Sequence, residues 1–138
     1  MIQAVGIDSV DIDRFEKAIG RRGNRLLNRI FRDGEIAYCR SLPRPALHFG
    51  ARFAAKEACM KCLGRGVWGG LAFRDIETVR DDDGSPALLL HGNAKCIFEE
   101  KGGGVLHLSM THTGTTAMAL VVVERLQEDH GAGPRWSL

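Results

Sequence analysis

The stretch from Pro45 to Leu63 constrains the whole chain. It opens on a proline, contains no other, and ends against Gly64, so it reads as one long helix. Around that helix Ala51, Ala55, Ala58, Cys59 and Cys62 gather on one face, and Phe53, Ala54, Glu57, Met60 and Lys61 on the opposite one. A helix that is largely apolar on both sides has to be buried, so the other elements must wrap it.

Those elements are short. Residues 2–7 form an apolar run that predicts a first strand ending at Asp8. Residues 11–31 read as basic helix, with Gly20 and Gly23 as break points. Asp33 can cap a further short helix over 33–39. Residues 75–80 and 87–91 read as strands around the turn Asp81-Asp82-Asp83-Gly84, and 93–101 as a short helix. Residues 105–111 and 115–124 are the last two strands, joined near Thr113-Gly114. Adjacent strands with short turns pair antiparallel. The expected class is α+β, an antiparallel sheet packed on the long central helix. Residues 1–126 are expected to form one domain, and 127–138, which hold Trp136, a mobile tail.

Composition narrows the function. With 138 residues and 44% of them hydrophobic, the chain can build a core without staples. A net charge of +2 is too small to argue for wholesale nucleic-acid binding. The longest apolar run, from Ala117 to Val123, falls far short of the roughly 20 residues a membrane span needs. The N-terminus turns acidic by Asp8 and shows no secretory signal. Cys39, Cys59, Cys62 and Cys96 are too sparse for a disulfide scaffold, so a cytoplasmic location is expected. Cys59 and Cys62 form a C-x-x-C, but no second pair of ligands follows, and buried helix cysteines are the better reading. Gly64, Gly66 and Gly69 match G-x-G-x-x-G. They follow a helix where a dinucleotide fingerprint must follow a strand, so that reading fails.

Three segments can carry chemistry. Glu57 and Lys61, four residues apart, form either a helix-stabilising ion pair or part of a site. Asp8 is either a turn residue or, if its strand lies beside the helix, a second carboxylate converging on Glu57. Such a pair suits Mg²⁺, which keeps waters and takes phosphate oxygens as further ligands, and Lys61 would face the same phosphate. In the third segment His112 is flanked by Thr111 and Thr113, hydroxyls able to donate to a phosphate.

Together these segments resemble the holo-(acyl carrier protein) synthases, the small bacterial branch of the 4′-phosphopantetheinyl transferases. The matching motifs are Gly6-Ile7-Asp8 followed by Arg14, the run Arg52-Phe53-Ala54-Ala55-Lys56-Glu57-Ala58 continuing to Lys61 and Gly64, and His107-Leu108-Ser109-Met110-Thr111-His112-Thr113. Gly84-Ser85-Pro86 supplies a G-x-P match. Cys62 and Met110 depart from the family's usual residues but stay apolar, and the loop with Trp68 is less typical. The resemblance implies transfer of 4′-phosphopantetheine from coenzyme A to a serine of apo acyl carrier protein, releasing 3′,5′-ADP. It implies Mg²⁺, with Mn²⁺ as the alternative, on Asp8 and Glu57. Asp8, Glu57, Lys61 and His112 would be catalytic. Arg52, Lys61, Gly64, Pro86, Thr111, His112 and Thr113 would contact coenzyme A. Arg14, Arg21 and Arg25, in a helix where basic residues outnumber acidic ones, would dock the acidic carrier. A homotrimer with sites between subunits is implied as well.

Other readings compete. A non-catalytic carrier-binding protein of the same fold would lack metal-dependent binding of coenzyme A. A phosphohydrolase using the same carboxylates would turn over coenzyme A without a carrier. A basic RNA-binding domain fits poorly, because no aromatics interleave with the basic run.

Overall fold

The computed structural model describes residues 1–126; the expectations for 127–138 fall outside them. The chain runs β1 (Ile2–Asp11), α1 (Ile12–Arg22), α2 (Asn24–Ile30), α3 (Asp33–Arg40) and α4 (Pro45–Leu63). β2 (Ile76–Arg80), β3 (Pro86–Leu90), α5 (Gly92–Glu100), β4 (Val105–His112) and β5 (Thr116–Glu124) follow. The class is the expected α+β, but the strands form two antiparallel sheets: β1-β5-β4 and the hairpin β2-β3.

α4 has the expected bounds. Pro45 stands in its first turn, and Gly64 closes it at φ 71°, a left-handed cap that favours glycine. Most of the helix is buried, Ala54, Ala55 and Ala58 completely. These small side chains let the three-stranded sheet come close. The closest approach is at Gly6 of β1, where an added Cβ would strike the carbonyl oxygen of Ala58. We expect Gly6→Ala to force strand and helix apart and lower unfolding stability by about 1–3 kcal/mol. An unchanged urea midpoint would show that this approach imposes no constraint.

Asp8 is not the end of the first strand, as the sequence suggested. β1 continues to Asp11, with Asp8 opposite Ala119 of β5. Ala4 and Val10 pack on the core beside α4, and Asp8 shares their face by strand alternation. Val5 and Ile7 point the other way and are 56% and 54% exposed, beside the exposed Met118 and Leu120 of β5. On β1 and β5 the outer face of the sheet is therefore apolar and, among the described residues, uncovered, while β4 presents His107, Ser109 and Thr111 there.

The predicted helix over 11–31 breaks only at Gly23; Gly20 stays inside α1, whose N-cap Asp11 accepts the Arg14 N–H. Phe15 of α1 stacks on Phe53 of α4, with ring centroids 5.1 Å apart. This contact belongs to a second core, with Leu27, Ile30, Phe31, Ile36 and Phe49.

Candidate active site

β1 and α4 bring Asp8, Glu57 and Lys61 together. Lys61 Nζ donates to the Ile7 carbonyl at 2.7 Å and to Asp8 Oδ1 at 3.2 Å. The i,i+4 ion pair with Glu57 does not form; Lys61 turns instead to β1, where a carbonyl and a carboxylate both accept from it. Burial, and then the charge of Asp8, raises the Glu57 carboxyl above the usual carboxylate range, with Lys61 partly opposing. Two carboxylates close enough to repel, sharing one ammonium, leave the cluster short of positive charge. Their hard oxygen donors fit Mg²⁺, which takes one or two protein carboxylates and completes its shell with water and phosphate. A cleft of about 270 Å³ opens here, lined by Glu57, Met60, Lys61, Gly64, Arg65 and Gly66.

Arg52 and His112 do not join that cluster. Arg52 lies about 140° around α4 from Glu57. It is only 7% exposed, stacks on the Tyr38 ring at 4.7 Å and donates to the His48 carbonyl at 3.4 Å. No carboxylate forms an ion pair with it among the described residues. A buried guanidinium without a counter-charge is costly unless something anionic meets it. His112, at the end of β4, lies 6.4 Å ring to ring from His48. Burial, then Arg52, then His112 lower the His48 imidazole below its ordinary value. With Arg44, which donates to the Gly114 carbonyl, these groups make a basic corner at the N-terminal half of α4. Thr113 in the adjoining turn accepts the Thr115 and Thr116 N–H groups on its hydroxyl. Thr111 is exposed on β4, and Pro86 opens β3. One chain thus carries two separate polar groups, a carboxylate–lysine cluster and a basic corner, on different flanks of one helix.

Residues 4–116 match the family model of the 4′-phosphopantetheinyl transferase superfamily. The chain belongs to that superfamily. A holo-[acyl-carrier-protein] synthase of Syntrophus aciditrophicus is 41% identical over 128 residues, 93% of this chain and 100% of that one. The crystal structure of the holo-[acyl-carrier-protein] synthase from Neisseria meningitidis superposes with a TM-score of 0.81 at 32% identity, covering 91% of this chain and 100% of that one. The synthase from Bacillus anthracis, solved in complex with CoA (3′,5′-ADP), gives 0.73 at 32% identity, covering 91% and 99%.

In this phosphopantetheinyl transferase, sequence reasoning gave no role to the neighbour of Glu57. Lys56 is fully buried; its Nζ donates to Glu35 Oε1 at 2.8 Å and to the Phe73 carbonyl at 3.1 Å, and lies over the Phe31 ring. Glu35 also accepts from the Arg32 N–H and, through Oε2, from the Thr78 N–H and hydroxyl. The network joins α3, α4 and β2 one residue away from the candidate metal ligand. Its only sequence signal was a lysine on a helix otherwise bound for the core. The cysteines of the C-x-x-C are buried free thiols, with Cys59 pushed up to about 12 by burial, which makes a thiolate role unfavourable.

Proposed function

We propose that this chain transfers the 4′-phosphopantetheine of coenzyme A to a serine hydroxyl of an apo acyl carrier protein, releasing 3′,5′-ADP. The observation that carries the reading is the Asp8–Glu57–Lys61 cluster on a cleft, in a chain of this superfamily. Asp8 and Glu57 would hold Mg²⁺ or Mn²⁺, which when bound supplies charge neutralisation and polarisation of the diphosphate. Glu57, directly or through a water, takes the serine proton as its oxygen bonds to phosphorus. The bond from that phosphorus to the bridging oxygen breaks, and Lys61 stabilises the negative charge gathering on the leaving group. Arg52, His112 and Thr113 suit the nucleotide's phosphate, since Arg52 is buried and has no acidic partner among the described residues. Thr111, Gly64 and Pro86 are further coenzyme A contacts.

The separation of His112 from Asp8 and Glu57 supports a homotrimer in which one subunit's basic corner completes its neighbour's site. The uncovered apolar face of Val5, Ile7, Met118 and Leu120 supplies a surface for that assembly. Arg21, Arg25 and Arg29 with Leu26 line a cavity of about 430 Å³ on α1 and α2, and with Arg14 they suit an acidic carrier. A cytoplasmic place in fatty acid biosynthesis agrees with that partner and with four free cysteines.

Intact-mass spectrometry of an apo acyl carrier protein incubated with this protein, coenzyme A and Mg²⁺ tests the reading. A gain of one phosphopantetheine, abolished by a chelator, supports it; no gain across several carriers favours a non-catalytic carrier-binding protein. Arg14→Ala is expected to raise the KM for carrier about fivefold to tenfold with coenzyme A binding spared. A loss of coenzyme A binding instead would remove Arg14 from the docking surface.

The raised Glu57 carboxyl gives a signed pH dependence. Ionised Glu57 is required as ligand or base, so kcat/KM falls as the pH drops through its raised value. A divalent cation favours the ionised form, so the acid limb is expected to move to lower pH as Mg²⁺ is increased. A limb that stays fixed between low and saturating Mg²⁺ counts against Glu57 as a ligand.

A further inference from the structure

Arg52 is held by a ring and not by a carboxylate. A guanidinium is rich in N–H donors. Among the described residues the buried Arg52 uses them for a single bond, at 3.4 Å, to the His48 carbonyl, and no carboxylate pairs with it. Its Cζ lies 4.7 Å from the centroid of the Tyr38 ring, a contact between α4 and α3. A second guanidinium lies against the same ring, with Arg80 Cζ at 5.1 Å. Arg80 ends β2 and donates to the Gly84 carbonyl at 2.7 Å, in the turn that leads to Pro86.

Tyr38, Arg52 and Arg80 line one cavity of about 430 Å³. The carboxylates on its wall are already taken. Glu35 is held by Lys56 and Thr78, and Glu77 lies 3.9 Å from Arg32 and 3.5 Å from His91. The charge left at the cavity is that of Arg52 and Arg80, two cations on one ring. Like charges so placed repel, and an anion relieves both that repulsion and the burial of Arg52.

We propose that Tyr38 is a positioning residue for coenzyme A: its ring holds the Arg52 guanidinium in the orientation that receives the nucleotide's 3′-phosphate, and it acts on the substrate only through Arg52. The inference rests on the coenzyme A reading above. A phosphate monoester accepts side-by-side N–H bonds best from a guanidinium that is already fixed. A ring face supplies that fixing across the plane of the cation and leaves the N–H donors at its edge free. A carboxylate in the same place would occupy those donors and cancel the charge. Tyr38 therefore sharpens the choice of coenzyme A over its 3′-dephospho form. It contributes nothing to the diphosphate end at Glu57 and Lys61, on the other flank of α4.

Transfer to an apo carrier with Mg²⁺ is measured with coenzyme A and with 3′-dephospho-coenzyme A as donors, and the readout is the ratio of their kcat/KM values. That ratio does not depend on how much of a variant is folded. The parent is expected to prefer coenzyme A through KM. Tyr38→Leu is expected to shrink the preference about threefold to tenfold, the scale of one desolvated cation–π contact, with kcat little changed. Tyr38→Phe keeps the ring face and is expected to keep the parent's ratio. In an Arg52→Met background, Tyr38→Leu is expected to change the ratio no further. A Tyr38→Leu protein with the parent's ratio would overturn the proposal. So would a Tyr38→Phe protein that lost the preference, or a Tyr38→Leu effect undiminished without Arg52. A parent that used both donors equally would take the 3′-phosphate away from Arg52, and this inference with it, while leaving the transfer reading standing. A parent that transferred from neither would sink the transfer reading itself.

Discussion

Glu57→Gln is expected to keep its fold and lose transfer by about a hundredfold to a thousandfold, the scale for removing one preorganised charge at a phosphoryl-transfer site. The amide is nearly isosteric with the carboxyl, and Glu57 is only half-buried, so packing on α4 survives. What goes is the negative charge that, with Asp8, makes the cluster short of cations. Two readouts separate this loss from misfolding. Mg²⁺ titration by calorimetry should show weaker binding in the variant. Protection against thermal unfolding by Mg²⁺, expected in the parent because a cation relieves the Asp8–Glu57 repulsion, should shrink as well. Near-normal transfer would remove Glu57 from the mechanism, whatever the calorimetry reported.

The second large effect concerns stability. Lys56→Met leaves the Glu35 carboxylate buried, still accepting from Arg32 and Thr78, with no cation beside it. Breaking a buried pair from one side costs about 3–5 kcal/mol, a large share of a domain's stability. The double variant Lys56→Met with Glu35→Leu removes both charges and is expected to regain most of that loss, because apolar replacement of a whole buried pair is often neutral or better. Urea unfolding of the parent, both single variants and the double variant gives the cycle. A double variant as unstable as Lys56→Met alone would mean that the hydrogen bonds to Thr78 and Phe73 carry the stability and the charges do not. Burial draws the Lys56 ammonium below the ordinary lysine range, and the Glu35 carboxylate beside it opposes that shift.

The features legible in the sequence were local ones. Pro45 and Gly64 mark α4 because a missing N–H suits a helix start and a left-handed φ suits its end. Each short hairpin, β2-β3 and β4-β5, was announced by its turn. The β1–β5 pairing was not, because it joins residues more than a hundred positions apart and no local pattern encodes it. Asp8 was misplaced at a strand end because an acidic residue reads as a breaker. In the structure it keeps strand alternation with Gly6 and faces α4, where Lys61 meets it. The same tertiary contact explains why the Glu57–Lys61 spacing misled: a helix-only rule cannot know that a strand carbonyl and a carboxylate lie in reach. Lys56 escaped notice for a related reason, since its partner comes from another helix. The candidate site residues were found through motif order, and their division between two flanks of α4 needed coordinates.

That division has a consequence for how output scales with abundance. A chain whose basic corner and carboxylate cluster sit on different flanks of its own helix cannot clamp one small nucleotide between them. If a neighbour supplies the missing half, specific activity belongs to the population and not to the molecule. Near the assembly constant, doubling the number of copies more than doubles turnover, and at low copy number the chains are folded but silent. Synthesis of the protein then acts on carrier activation as a threshold, steeper than any tuning of affinity within a single site.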